Sequence, residues 1–211
     1  MTDRWSAHAE AYRESEAHRS GADLDLLVDW AEGKTALDVA TGGGHVARRL
    51  REAGFDVVTV DPAPGMEADV ISRAEHLPFA DGSFDVVVSR IAPHHFAEIR
   101  EAIGEMARVS GDLVLVVDNL HRGDVAEEAE QLRDPTHVRN YDEAEWRELF
   151  LQAGLEVEAV ELLDTDIELD AWLSRAGCEG DEAERVRSLV ADRVTDGRLS
   201  MTRIALKGRK R

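Results

Sequence analysis

Three consecutive glycines stand where a ligand could bind. Gly42, Gly43 and Gly44 follow the apolar run TALDVA (35–40) and precede HVARRLREAG (45–54), whose apolar residues lie on one helical face. A strand that turns through glycines into a helix exposes backbone amides at the helix N-terminus, where a polar group can bind. We therefore expect a ligand at this turn. A turn needed only for tight packing of strand against helix is the alternative.

Two carboxylates near the turn distinguish the ligands that it could hold. The pattern Gly42-x-Gly44-x-x-Ala47 fits a loose dinucleotide motif, in which Asp61, at the end of the next apolar run, would accept the ribose hydroxyls. A carboxylate at Asp38 would repel a pyrophosphate, whereas it could hold the α-ammonium of a methionyl group. Asp38 therefore favours S-adenosylmethionine over a nicotinamide dinucleotide. Asp61 would bind the ribose of either ligand, unless it only caps its strand.

Two adjacent histidines are the candidate catalytic residues. His94 and His95 follow the apolar run FDVVVSR (84–90), at the edge where parallel strands end and ligands bind. A weakly acidic nucleophile on a methyl acceptor would benefit from a general base, and histidine is a common one. We expect one of the two to be this base. The alternative is that His95 packs on Phe96 and His94 caps the next helix.

A polar segment further along the chain is a candidate for substrate contact. His137, Arg139 and Tyr141 precede a predicted helix for which Asp142 is the N-cap and Glu145 completes a capping box. Insertions at the carboxyl edge of a sheet border its ligand site, so these three residues are predicted to face the substrate. A turn network is the alternative.

The elements that must position these residues alternate between strands and helices. Continuous Val and Leu runs are typical of a parallel sheet covered on both faces. The pattern predicts an α/β, Rossmann-like, doubly wound fold with a mostly parallel seven-stranded sheet, helices on both faces and an antiparallel C-terminal strand. We expect one domain, 1–211, with a core at about 34–120 and helical insertions and last strands at 121–211. The predicted strands are 35–40, 57–61, 68–74, 84–90, 112–119, 155–163 and 200–208, and the later predicted helices begin near 98, 124 and 142.

The composition limits the partners. A formal charge of −19 over 211 residues repels phosphate backbones, which argues against a nucleic-acid substrate. No run approaches the ~20 apolar residues of a membrane helix, and the first residues carry charges where a secretory signal would be apolar. Cys178 is the single cysteine, and no His, Cys and acidic residues have metal-ligand spacing. We expect a cytoplasmic monomer or homodimer that acts on a small molecule, without metal or membrane.

Several segments together resemble one protein family. LDVATGGGHVA, VDPAPGM, AEHLPFADGSFDVVVSR, IAPHHF and LRDPTHVRNYDEAEW resemble class I methyltransferases of the ubiquinone/menaquinone-type superfamily, most closely from Ala36 to Asn119. The resemblance implies transfer of the methyl group of S-adenosylmethionine to a C, O or N atom of a small molecule, giving S-adenosylhomocysteine. An NAD(P)-dependent oxidoreductase on the same fold and a non-catalytic S-adenosylmethionine-binding module remain alternatives.

The resemblance also implies a set of cofactor contacts. They fall at the glycine turn, at the ends of the second and fourth strands and in the segment before LPF. A further contact would come from an N-terminal segment that folds over the cofactor; the alternative is that this segment is a simple loop before a helix. The implied residues are Asp38, Ala40, Thr41, Gly42, Gly43, Gly44, Asp61, Pro62, Arg73, Ala74, Glu75, Ser89, Arg90 and His18.

The sequence departs from the family pattern at two places. The family has Gly-Asp-Ala-Glu before LPF, where this chain has Ser72-Arg73-Ala74-Glu75. Arg73 cannot accept a hydrogen bond from the adenine amino group, so the backbone at Ala74 or stacking by Arg73 would replace it. The link PAPGME (62–67) contains two prolines and a glycine, and we expect no α-helix there, which would leave the ribose side more open.

Overall fold

The strands of the chain form one sheet. The computed structural model describes residues 5–6, 9–14 and 19–211. In chain order the strands are β1 (Thr35–Val39), β2 (Asp56–Asp61), β3 (Val70–Ile71), β4 (Phe84–Arg90), β5 (Ser110–Asn119), β6 (Leu155–Glu168), β7 (Val194–Thr195) and β8 (Arg198–Lys210). Their order in the sheet is β3-β2-β1-β4-β5-β8-β6, and β7 pairs with β8.

The strand directions confirm the predicted fold class. Neighbours among β1 to β5 are parallel, and β8 is antiparallel to both β5 and β6. The two-residue β7 adds one short strand to the seven that the sequence predicts. The order β2-β1-β4 brings the carboxyl ends of these three parallel strands side by side, and the strand order reverses between β1 and β4, which is where ligands bind in open α/β sheets.

Helices cover both faces of the sheet. The helices are α1 (Ala9–Glu14), α2 (Ala22–Trp30), α3 (His45–Glu52), α4 (Ile99–Val109), α5 (Asp124–Arg133), α6 (Glu143–Gln152), α7 (Leu169–Arg175) and α8 (Gly180–Leu189). One apolar cluster joins the sheet to α4 and α6, and a second joins its other face to α2 and α3. The alternation of side chains along β1 produces this division, since Leu37 belongs to the first cluster and Ala36 to the second. No helix in the described part of the chain is long and apolar enough to cross a membrane.

Two strands differ in length from the prediction. β3 is shorter than the predicted 68–74: before its first residue the Asp69 carboxylate accepts hydrogen bonds from the Thr59 amide and hydroxyl, and a turn at 74–75 follows its last residue. β6 continues past 163 to Glu168, where it pairs with the first half of β8. The alternating acids of DTDIE (164–168) hide this extension in the sequence, because they interrupt the apolar pattern. The link 62–67 forms one 3-10 turn, Pro64–Met66, and no α-helix, as predicted.

The insertion after β6 forms a third apolar cluster. Trp172 and Leu173 of α7 pack with Val186 of α8 and with Leu199 and Met201 of β8. The antiparallel pair of β6 and β8 brings this cluster to the same edge of the sheet as the glycine turn, and Ile167, Trp172 and Met201 line the same cavity as that turn.

Candidate functional site

Two buried carboxylates shape the glycine turn from opposite sides. Asp38 Oδ2 accepts hydrogen bonds from Thr41 Oγ1 at 2.6 Å and from the Ala47 amide at 3.1 Å. Asp61 Oδ2 accepts from the Gly42 amide at 3.0 Å. Gly42 has φ +50°, and a Cβ built on it meets no atom within 4 Å. The two carboxylates therefore fix the backbone of the turn, and the space where a Gly42 Cβ would lie is open.

The electrostatics of these carboxylates suit a cationic ligand. Burial raises the pKa of Asp38 to about 6, partly opposed by the hydrogen bonds from Thr41 and Ala47. Burial also raises the pKa of Asp61. An α-ammonium group placed at this turn would stabilise the ionised Asp38 carboxylate, and the Asp61 carboxylate can accept hydrogen bonds from ribose hydroxyls, so these two acceptors fit S-adenosylmethionine.

The backbone is strained at the ends of two neighbouring strands. Ala40, directly after β1, has φ +56°, and Ile91, directly after β4, has φ +52°. The left-handed region is costly for a β-branched residue, and such strain persists where surrounding contacts fix it. The Ile91 amide donates to the Val117 carbonyl at 2.8 Å, which is one such contact. Both residues line the cavity, whose floor these two abrupt turns form.

The cavity has a volume of about 260 Å³ and joins the glycine turn to the two histidines. Gly42, Asp61 and Ala74 line it, and so do His94 and Trp172. The predicted site residues that line it are Asp38, Ala40, Thr41, Gly42, Gly43, Asp61, Pro62, Arg73, Ala74, Glu75, Arg90, His94 and His95.

The other predicted site residues lie beside this cavity or outside the description. Gly44 is the residue before α3, with φ +72°, and Ser89 Oγ donates to the Val39 carbonyl. His18 falls outside the described residues. Neither Gly44 nor Ser89 is among the described cavity-lining residues, so their contribution is to the shape of the strand ends.

The segment predicted to face the substrate, 137–141, contacts the cavity through residues other than the three that were predicted. Arg139 pairs with Glu145 and lies over the Tyr141 ring at 4.5 Å, and His137 Nε2 is 2.7 Å from Glu127 Oε1. Their neighbours Thr136 and Val138 line the cavity instead. The capping box of Asp142 and Glu145 is present.

Arg73, which was predicted to stack on the adenine, is held by a neighbouring carboxylate. The exposed guanidinium contacts both carboxylate oxygens of Glu75 at 3.3 Å. Glu75 is buried, and its Oε1 also accepts from the Ala97 amide at 3.0 Å. Glu75 thus fixes Arg73 at the rim of the cavity, a placement compatible with stacking on a base.

An aspartate orients the first of the two histidines. His94 Nδ1 lies 2.5 Å from Asp118 Oδ1, and both side chains are buried. His95 Nδ1 is 3.1 Å from the Thr136 carbonyl, and the two imidazole centroids are 4.1 Å apart. The His137 ring lies 5.3 Å from that of His94.

Burial favours the uncharged forms of His94, His95 and Asp118. It lowers the pKa of His94 to about 3, an effect to which the nearby His137 adds. It also raises the pKa of Asp118 to about 7. Burial and the adjacent His94 hold the pKa of His95 well below its usual range. An uncharged imidazole fixed by a carboxylate is the state from which a general base can accept a proton.

The sequence reasoning missed several residues of the site. Asp118 is the next-to-last residue of β5 and Asp61 is the last residue of β2, so the same rule about acids near strand ends could have found Asp118. Arg203 interrupts the apolar run of β8, a signal that a buried charge has a partner. Trp172 had no such signal, because only the fold brings α7 over the sheet edge. Among the described residues, no group of three or more His, Cys, Asp or Glu side chains could hold a metal ion.

Comparisons with known proteins agree with this fold and site. A family model described as a methyltransferase domain matches residues 37–115. The chain is 31% identical over 208 residues to the uncharacterized methyltransferase YcgJ of Bacillus subtilis, covering 86% of this chain and 82% of that protein. The YcgJ crystal structure matches with a TM-score of 0.79 at 26% identity, over 90% of this chain and 98% of that one. The Bacillus halodurans protein BH2331 matches with a TM-score of 0.78 at 27% identity, over 90% and 99%.

A mostly parallel sheet with a glycine turn after β1 and an acid at the end of β2 defines a nucleoside-binding α/β enzyme. With the similarity to YcgJ, the chain belongs to the class I S-adenosylmethionine-dependent methyltransferases, and its cofactor is S-adenosylmethionine.

Proposed function

We propose that this enzyme methylates a C, O or N atom of a small molecule bound between the glycine turn and His94. The continuity of the cavity from Gly42 to the His94–Asp118 pair carries the proposal. When bound, S-adenosylmethionine supplies a methyl group on a sulfonium sulfur, and in-line displacement leaves S-adenosylhomocysteine. Positioning alone can contribute up to ~7–11 kcal/mol to such a transfer.

The residues of the chain then have distinct tasks. The Gly42 amide and the buried Asp38 and Asp61 hold the cofactor end of the cavity. His94 accepts the proton that the nucleophile loses as the new bond to carbon forms. When Asp118 is ionised, His94 Nδ1 donates to it and Nε2 is the basic atom. We assign the base role to His94 rather than His95, because a carboxylate fixes only the former ring.

The titration of Asp118 makes this assignment testable by pH. Below about pH 7 the His94–Asp118 pair carries an extra proton, so Nε2 is protonated and cannot act as a base. We therefore predict that kcat falls as pH drops below about 7, and a flat pH profile in wild type would contradict the base role.

We also predict that His94→Asn lowers kcat by ~10²- to 10⁴-fold with little change in cofactor affinity, because the variant lacks the group that accepts the proton.

Three further features belong to the same proposal. We infer that residues 1–211 act as one domain, in the cytoplasm, as a monomer or homodimer. The net charge of −19 supports a small-molecule acceptor over nucleic acid. Turnover without added metal follows from the proposed chemistry, since in-line transfer needs none.

Mass spectrometry tests the proposed reaction. The purified protein is incubated with S-adenosylmethionine carrying a deuterated methyl group and a panel of phenols, enolisable ketones and amines. We expect one acceptor class to gain the label while S-adenosylhomocysteine forms in equal amount. Asp61→Ala is the matched control, and we expect it to weaken cofactor binding by about 1–3 kcal/mol. Cofactor binding without transfer to any acceptor would indicate a non-catalytic binding module.

A further inference from the structure

The order of the strands indicates where the purine of the cofactor lies. In open α/β sheets the acid that ends the second strand binds the ribose, and here that acid is Asp61 of β2. β1, with the glycine turn, is on one side of β2, and β3 is on the other side. The segment that follows β3 lines the cavity with Arg73, Ala74 and Glu75. A cofactor with its methionyl group at the turn and its ribose at Asp61 would therefore extend its purine toward this segment.

The carboxylate of this segment has no acceptor site left for a ligand. Glu75 Oε1 accepts hydrogen bonds from the Ala97 and Glu98 amides at 3.0 and 3.3 Å. The Arg73 guanidinium completes the set, with Nη2 3.3 Å from Oε1 and Nε 3.3 Å from Oε2. Burial raises the pKa of Glu75, but the hydrogen bonds from Arg73 and from the backbone outweigh burial and lower the pKa below its usual value. Because an ionised carboxylate has about four acceptor sites, the two amides and the two guanidinium donors occupy it.

The Arg73 guanidinium keeps one donor for a ligand. Its Nε and Nη2 hold Glu75, and within the described part of the chain its Nη1 makes no hydrogen bond. The side chain is 57% exposed and lines the cavity, so the guanidinium lies at the rim. Arginine donates hydrogen bonds and cannot accept them. This group can therefore bind an oxygen of a ligand, whereas it cannot bind an amino group.

The other carboxylates of the cavity are at the glycine turn. Among the described lining residues these are Asp38 and Asp61, and both are hydrogen-bonded to that turn. The segment after β3 therefore presents to a purine the guanidinium donor of Arg73 and no unoccupied carboxylate. Adenine has an amino group at position 6, which needs an acceptor, whereas hypoxanthine has an oxygen there, which needs a donor.

We propose that Arg73 lies beside position 6 of the purine, so that the cofactor site takes 6-oxopurine ligands as well as adenine ligands. Arginine donates to the O6 of guanine in the same way in nucleic-acid recognition. The 6-amino group of adenine has no carboxylate partner in this arrangement, so adenine is held by its ribose and by contacts that do not involve that group. The inference goes beyond the proposed function, because it concerns the cofactor end of the cavity and needs neither the acceptor nor a base at His94.

Calorimetry with three ligands tests this inference. S-adenosylhomocysteine has the amino group, S-inosylhomocysteine has an oxygen in its place, and the 6-deamino analogue has a hydrogen there and keeps the N1 of adenine. Each is titrated into wild type and into Arg73→Asp, which replaces the donor by an acceptor. Arg147→Asp is the matched control, because it makes the same charge change at an exposed residue of α6 that is outside the described cavity lining. Thermal melts check that both variants are folded.

We expect wild type to bind the 6-deamino analogue within about 3-fold of S-adenosylhomocysteine, and S-inosylhomocysteine within about 10-fold. R73D should shift the preference toward S-adenosylhomocysteine over S-inosylhomocysteine by roughly 10- to 100-fold, the range for a hydrogen bond to a charged group. R147D should leave the preference unchanged.

Two results overturn the proposal. One is a loss of more than about 10-fold for the 6-deamino analogue in wild type, which would show without any variant that the amino group is bound. The other is an equal effect of R73D on all three ligands, or no effect, which would mean that Arg73 stacks on the base or lies away from it. Binding with the expected selectivity but without methyl transfer to any acceptor would instead reject the proposed function and leave this inference standing. Failure of wild type to bind any of the three ligands would reject both.

Discussion

At Gly42 a single missing side chain leaves room for a ligand. The residue has a positive φ and open space where a Cβ would lie, and its amide is fixed by Asp61. Gly54, after α3, also has a positive φ (+96°) and open space, but it is outside the described cavity lining. The two glycines therefore allow backbone strain to be separated from loss of the binding space.

We predict that Gly42→Val abolishes binding of S-adenosylhomocysteine, whereas Gly54→Val leaves it intact. Each substitution places a β-branched residue in the left-handed region, which costs about 1–3 kcal/mol of stability. Thermal melts and calorimetry on both variants measure the two effects separately. Equal affinity of the two variants would mean that the turn serves packing alone.

The pKa values of His94 and Asp118 are shifted in opposite directions, and their effects on the pH dependence of the free energy of unfolding offset each other. In the folded protein Asp118 titrates near 7 and His94 near 3, against reference values of 3.8 and 6.5. A raised aspartate pKa makes stability fall as pH rises from 3.8 to about 7. A lowered histidine pKa makes stability fall as pH drops from 6.5 to about 3. Between about pH 4 and 6.5 folded and unfolded pairs hold one proton each, and the two effects cancel.

Single substitutions should expose each half of this balance. We predict that His94→Asn loses stability relative to wild type as pH rises from 4 to 7, because only the Asp118 shift remains. Asp118→Asn should lose stability relative to wild type as pH falls below 6.5. Each slope approaches about 1.4 kcal/mol per pH unit at most. Urea unfolding across this pH range measures both, and parallel curves for the two variants would refute the shared-proton description.

At the scale of elements, the helix after β6 depends on one tryptophan. Trp172 is 4% exposed and links α7 to α5 through Arg133 and to the cavity wall. Trp146 of α6 is fully buried in the core cluster and is not among the described cavity-lining residues. Trp172 and Trp146 therefore allow the loss of the same side chain to be compared at the cavity wall and away from the cavity.

We predict that Trp172→Ala and Trp146→Ala both destabilise the fold by about 3–5 kcal/mol. Only Trp172→Ala should raise KM for the acceptor, because it removes part of the wall on which the acceptor lies. Affinity for S-adenosylhomocysteine should be retained in both folded variants. An unchanged acceptor KM in Trp172→Ala would place the acceptor elsewhere.

Site residues could be predicted from the sequence where they directly follow a predicted strand, and could not be predicted where they depend on contacts between distant parts of the chain. The glycine turn, Asp61 and the histidines follow strands in sequence, and the parallel strands bring their ends to one edge. The partnership of Asp23 with Arg203 joins residues 180 positions apart, and no local pattern specifies it. The extra length of β6 and the short β3 depended on side-chain hydrogen bonds and long-range pairing.

At the scale of the whole molecule, acidic residues exceed basic ones by 44 to 25. Nineteen acids therefore have no base with which to pair, while exposed ion pairs contribute only ~0–1 kcal/mol each. Repulsion between the unpaired acids should dominate. We predict that the melting temperature rises as NaCl is added up to ~1 M, where the Debye length is ~3 Å. Matching results with KCl would assign the effect to screening, and a falling melting temperature would show that ion pairs dominate.

The position of β8 affects how the chain acquires its structure during synthesis. This strand is the last in sequence, yet it lies between β5 and β6 and pairs with both. At ~5–20 residues per second, the ribosome releases residues 198–210 after all the other strands. Until then β5 has one unpaired edge, β6 has no strand partner, and Asp23 lacks one of its two guanidinium partners. The sheet can therefore be completed only after translation of β8, and a nascent chain that stops before it exposes the unpaired backbone groups of β5 and of the whole of β6 to other chains and to chaperones.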